Sequence, residues 1–240
     1  MKKTLMSSLA AATLSAGLAA PSMADVSATA GFVTDYVYRG VELGDAGAYF
    51  SVDYEQSGFY AGAWAIMDGG NAGTVDGDES SNSATGLEVD YYFGYGKEFD
   101  NGLNFSLGYT AYTYTYNADY LESFEDEFGG SIGYKGFAAS AYYGWMHGTE
   151  SETVPYIYTD LSWSGEVFGA VVGHWASDPE NSKDKKSYNY AEVSASGEVA
   201  TLDMTLTVGK KFTDEKDGER NATDTGSAYI VLDVSKTFSL

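Results

Sequence analysis

Apolar and polar positions alternate with a period of two through most of the chain. Leu103, Phe105, Leu107 and Tyr109 oppose Asn104, Ser106 and Gly108. Leu202, Met204, Leu206 and Val208 oppose Thr201, Asp203, Thr205 and Thr207, and Leu87, Val89, Tyr91, Phe93 and Tyr95 oppose Glu88, Asp90, Tyr92, Gly94 and Gly96. Successive side chains leave a strand on opposite faces, so each segment has one oily and one polar side. No segment shows a comparable helical period. The last stretch repeats the pattern, with Ile230, Leu232, Val234, Phe238 and Leu240 against Asp233, Ser235, Thr237 and Ser239. A terminal strand with an oily face invites aggregation in water. Pairing it with the first strand, inside a barrel whose outer face meets lipid, removes both the edge and the exposure.

The connectors alternate in length. Short turns fall at Gln56–Gly58, Asp100–Gly102, Lys135–Gly136, Ser164–Glu166 and Ser196–Glu198, where glycine supplies the positive φ of a tight hairpin. Long polar loops fall at about Gly40–Gly47, Asp68–Ala84, Asn117–Phe124, Gly148–Val154, Ser177–Ser187 and Thr213–Thr225. The first strand is expected from about Ser27 to Arg39, although Val33, Asp35 and Val37 then share one face. The pattern predicts an all-β, up-and-down antiparallel transmembrane β-barrel of about 12 strands, with both termini on the short-turn side. Trp64, Trp145 and Trp175 fall at loop-side strand ends and are expected in an outer aromatic girdle. Phe59, Phe99, Phe137 and Trp163 form its counterpart near the short turns, where Lys97 and Lys236 can snorkel to headgroups.

The first residues sharpen the location. Lys2 and Lys3 precede an Ala-rich apolar stretch, and Ser22-Met23-Ala24 offers a signal-peptidase site. Residues 1–24 are expected to be a cleaved secretory leader and residues 25–240 the barrel of a bacterial outer membrane. Loss of the two lysines makes a formal net charge of −22 more negative still. Such acidity excludes nucleic acid as a partner and leaves outer-membrane lipid, lipopolysaccharide and small solutes or cations. With no cysteine there is neither a disulfide framework nor thiolate chemistry. The 21 tyrosines and 29 glycines are too many of each for an ordinary domain, and the aromatic load excludes disorder.

The segment Phe32-Val33-Thr34-Asp35-Tyr36-Val37-Tyr38-Arg39-Gly40, with Tyr49–Tyr54 and Gly58–Trp64 after it, resembles the TorF-type porins of proteobacteria. That family joins a signal peptide to a Tyr-x-Tyr/Phe-Arg-Gly segment and a Gly-aromatic hairpin. The resemblance implies an outer-membrane barrel over the whole mature chain and, less specifically, transport. Val41-Glu42-Leu43 departs from it, since a Ser-rich segment is typical after the Arg-Gly pair.

Parity places Asp53, Glu88, Asp90, Asp160, Glu192, Asp203 and Asp233 on the lumen side, with Arg39 and Lys211 as counter-charges at the outer end. Carboxylates in a narrow lumen concentrate cations and repel anions. The expected function is therefore passive diffusion of small solutes with a cation preference, gated by residues 68–84 if they fold inward. The competing readings are a non-conducting structural or adhesive barrel and an outer-membrane lipid hydrolase. For the last, Gly129-x-Ser131-x-Gly133 is a literal hydrolase motif, but it sits inside an alternating strand with no helix after it. Only His147 and His174 could act as its base, and both positions suit the membrane boundary equally well. Asp76-Gly77-Asp78-Glu79 lacks the spacing of a calcium loop, and the acidic run from Glu122 to Glu127 reads as a patch that repels other anions. No catalytic residue, cofactor or resident metal is expected.

Overall fold

The computed structural model describes residues 25–71, 85–115, 122–147, 153–177, 186–213 and 228–240. The expected leader and the Asp76–Glu79 cluster lie outside them, as do residues 72–84, which make up most of the expected gate. Among the described residues there are fourteen strands. They are β1 (Asp25–Val33), β2 (Tyr36–Tyr38), β3 (Val41–Gly44), β4 (Gly47–Gln56), β5 (Phe59–Asn71), β6 (Thr85–Glu98) and β7 (Leu103–Thr115), followed by β8 (Glu122–Tyr134), β9 (Phe137–His147), β10 (Thr153–Ser164), β11 (Phe168–Ser177), β12 (Ser187–Val199), β13 (Leu202–Thr213) and β14 (Ala228–Ser239).

Twelve of these close into the expected up-and-down antiparallel barrel. β1 is paired on one side with β4 and on the other with β14, so the final strand meets the first and no edge is left. The Leu240 amide donates to the Val26 carbonyl, which sets the two ends of the wall side by side. Five connections are tight and six are longer, in strict alternation. The outer face is oily: Phe93, Leu107, Ile132, Leu161, Val172, Ile230 and Phe238 are all exposed, with no second layer over them among the described residues.

Three expectations need correction. The first strand ends at Val33, not Arg39, and residues 36–44 form the separate β2–β3 hairpin instead of an outer loop. Arg39 (φ 49°) and Gly40 (φ 80°) occupy the central positions of its turn, the left-handed pair that a two-residue hairpin requires. The Ser196–Glu198 turn does not exist. Those residues lie in the β12–β13 ladder opposite Thr205, Met204 and Asp203, and the chain reverses at Ala200 (φ 51°) and Thr201 (φ 75°). Finally, Trp64 and Trp175 point inward. Trp64 packs on Tyr36 and Tyr49, and Trp175 stacks between Tyr156 and Tyr188. Only Trp145 of the three keeps the outer position, half-exposed beside Tyr143.

Part of the surplus of tyrosine and glycine has a shared structural cause. On the inner wall, Tyr49, Tyr60, Tyr92, Tyr142, Tyr156, Tyr190 and Tyr229 stand directly across the ladder from Gly31, Gly94, Gly62, Gly129, Gly144, Gly173 and Gly209. In each pair a β-carbon on the glycine would run into that tyrosine, most often its ring. The missing side chain lets an aromatic ring lie flat along a narrow cylinder, a cross-strand pairing that stabilises sheet. Gly129 and Gly133 of the hydrolase-like motif are such spacers, making room for Tyr142 and Asn104.

Substitution of Gly144 by Ala should cost about 1–3 kcal/mol, the usual range for overpacking, because Tyr156 has nowhere to go. Gly197, with open space around its missing β-carbon, is the control, and Gly197→Ala should stay within about 0.5 kcal/mol. Urea unfolding in lipid vesicles reads both, and equal midpoints would overturn the spacer role.

Candidate functional site

The lumen is filled where the hairpin enters it. Ring order puts β8 seven strands from β1 in one direction and five in the other, so a hairpin rooted between β1 and β4 must cross the lumen to touch β8. Arg39 does so. Its Nη1 and Nη2 each donate a 2.8 Å bond to one oxygen of Glu127, and both side chains are buried. The same carboxylate accepts Tyr112 Oη and Tyr156 Oη, each at 2.9 Å. Four donors to two oxygens satisfy the charge in a place where an isolated carboxylate would be very costly.

Tyrosines close round the guanidinium. Arg39 Cζ lies 3.8 Å from the ring centre of Tyr158, 4.7 Å from that of Tyr38 and 5.4 Å from that of Tyr142, all within cation–π range. Tyr38 Oη is 2.7 Å from Tyr112 Oη on β7, and Gly40 sits against Tyr190 on β12. The tip therefore bears on walls far apart in the ring. At its base Val33, Tyr36, Val37, Tyr49, Ile66 and Val231 make a small apolar core inside the barrel. The hairpin is held by an apolar root and a charged tip.

The other candidate residues lie on the inner face of their strands. Asp53 accepts from Tyr92 Oη and from Ser51 Oγ (2.8 Å), and Glu88 accepts from Tyr114 Oη at 3.0 Å. Asp160 accepts a 3.3 Å bond from Ser140 Oγ, Glu192 a 2.6 Å bond from Tyr229 Oη, and Asp233 both oxygens' worth from Tyr49 Oη (3.1 and 2.9 Å). Asp90 lies beside Glu88 on the inner face of β6, Asp203 pairs across the ladder with buried Ser235, and Lys211 Nζ lies 5.7 Å from the Tyr188 ring centre. Asp90 Oδ1, Asp160 Oδ2 and Arg39 Nε are buried without a hydrogen-bond partner among the described residues. The structure thus brings Arg39 into the middle of the barrel but not to any of the seven predicted carboxylates. Its partner is Glu127, a member of the acidic run expected to repel other anions. Tyrosine donors, not lysines or arginines, satisfy most of these acids.

Towards the short-turn end the inner wall changes character. Thr29 pairs with Thr237, Ser106 with Ser131, and Ser196 with Thr205, each through hydroxyls 2.9 Å apart. Ser131 is on this inner wall, whereas His147 is on the outer face, bonded through Nε2 to Asp126 Oδ2 at 2.8 Å. His174 also faces outward and pairs with Asn189 at 2.9 Å. The serine and either histidine stand on opposite sides of the same wall and do not form a hydrolytic pair.

The barrel is similar in architecture to an outer membrane channel from Pseudomonas putida F1, with a TM-score of 0.44, 12% identity, and coverage of 92% of this chain and 97% of that one. LpxR from Salmonella typhimurium is similar with a TM-score of 0.46, 10% identity, and coverage of 88% and 99%. OccAB3 of Acinetobacter baumannii gives a TM-score of 0.39 and 8% identity, covering 88% of this chain and 60% of that one. No curated protein sequence matches. The family is set by its sequence profile, which spans residues 17–238, and the chain belongs to the Gcw_chp family, described as a bacterial protein of unknown function.

Proposed function

We propose that this protein is a narrow, cation-preferring channel for small solutes in the bacterial outer membrane, closed at rest by the β2–β3 hairpin. The observation that carries this reading is the inner wall itself. Asp53, Glu88, Asp90, Glu127, Asp160, Glu192, Asp203 and Asp233 face the lumen, against Arg39 and Lys211. A low-dielectric cylinder with that balance attracts cations and excludes anions. The bare oily exterior supports a place in lipid, since water would not tolerate it. The hairpin takes the gating role first expected of residues 68–84. A plugged, non-conducting barrel is the second reading, and the tyrosine-filled upper lumen favours it.

Planar-bilayer recording separates the two. Wild-type protein should show low conductance, and Arg39→Gly, which suits the left-handed turn position, should raise it several-fold by freeing the tip. Silence from both proteins, each giving the faster-migrating folded band on an unboiled gel, would leave the non-conducting reading.

Selectivity is the second measurement. Replacing Glu88 with Gln and Asp90 with Asn should lower cation-over-anion permeability, seen as a smaller reversal potential in a salt gradient. An unchanged potential would remove those carboxylates from the pathway.

The latch also has a stability consequence. Breaking a buried ion pair costs about 3–5 kcal/mol when one charge is left alone. Arg39→Gly and Glu127→Gln should each destabilise the barrel by about that much, while the double variant should recover part of the loss by removing both charges. Additive losses in a double-mutant cycle would show that the pair is not coupled.

A further inference from the structure

We infer that the chamber around Arg39 is a binding site for organic cations ending in a guanidinium group, and that Arg39 occupies it as a built-in mimic of that ligand. This rests on the channel reading and deepens it by naming a substrate class. The chamber has two parts, and the hairpin supplies little of either. Glu127, from β8, offers two oxygens spaced for the parallel N–H groups of a guanidinium, and it is already oriented by Tyr112 and Tyr156. Tyr158 and Tyr142, from β10 and β9, present ring faces to the flat side of the cation. Only Tyr38 travels with the tip.

The contacts select the planar end group and ignore the stem. Both terminal nitrogens of Arg39 are bonded, whereas its Nε is buried without a partner among the described residues. What the wall recognises is therefore the two-pronged, flat-faced head that any alkylguanidinium carries. A sodium or potassium ion has neither the donors nor the face, and an ammonium cannot match both oxygens in one plane. When the tip withdraws, the fixed carboxylate and the ring walls remain, stripped of their cation. That is an unfavourable state which a solute guanidinium would relieve. Gating and recognition then become one competition, between the tethered arginine and a free one.

Chemical rescue tests this. Arg39→Gly protein, folded in detergent, is heated in the presence of methylguanidinium or an equal concentration of potassium. Methylguanidinium should raise the melting temperature, with a dissociation constant on the order of 1 mM for a single paired cation. Wild-type protein, its chamber filled, should not respond, and Arg39→Gly/Glu127→Gln should lose the response. If Arg39→Gly does not fold in potassium buffer, methylguanidinium added during refolding should restore the faster-migrating band. No rescue by either readout, or equal rescue in the double variant, overturns the site. The melt does not depend on conduction, so rescue without current in any variant would retain the site and discard the channel, whereas methylguanidinium block of an open Arg39→Gly current would support both.

Discussion

A guanidinium and a carboxylate buried together in the middle of a β-barrel constrain nearly everything around them. Neither charge could stay there alone, and their mutual attraction offsets the loss of water only when the geometry is good and the remaining lone pairs are used. Glu127 therefore needs Tyr112 and Tyr156, and Arg39 needs the ring of Tyr158. Tyr156 lies flat along the wall because the facing strand gives up its side chain at Gly144. The charge pair, the rings around it and that glycine are thus successive consequences of carrying an arginine across the lumen.

The two halves of the interior divide the work accordingly. The loop-side half is occupied by aromatic rings and the hairpin. The short-turn half is lined by paired serine and threonine hydroxyls that neither fill space nor carry charge. Acids span both, and Asp53, Glu88, Asp160, Glu192 and Asp233 accept from tyrosine or serine hydroxyls, so apart from Glu127 with Arg39 the wall keeps its negative character without lysine or arginine partners that would cancel it.

Much of this was legible in the amino-acid order because the contrast between faces is strong. Period-two alternation found the twelve wall strands, since each turns one apolar and one polar face. Elsewhere a second local signal competes with that contrast. Tyr38-Arg39-Gly40-Val41 carries the same residue-plus-glycine turn signal as Ser57-Gly58 and Lys135-Gly136, yet the surrounding alternation let it pass for the end of a strand. Trp64 and Trp175 were placed by closeness to a loop, although each shares parity with an inward glycine, Gly62 and Gly173. The Ala200–Thr201 reversal carries no glycine at all, so turn propensity has nothing to register. Glu127 was hidden by its acidic neighbours: charge along the chain says little about which member of a run faces inward when every second residue does.

The hairpin leaves directly from β1, and β1 is also the strand that meets β14 when the wall closes. A charged tip cannot cheaply pass through acyl chains, so it has to be laid in place while the seam is still open or enter later through the mouth. In the first case the order of assembly is dictated: the strap is tucked before the zipper runs shut, and the final ladder between the two ends of the chain seals its own contents.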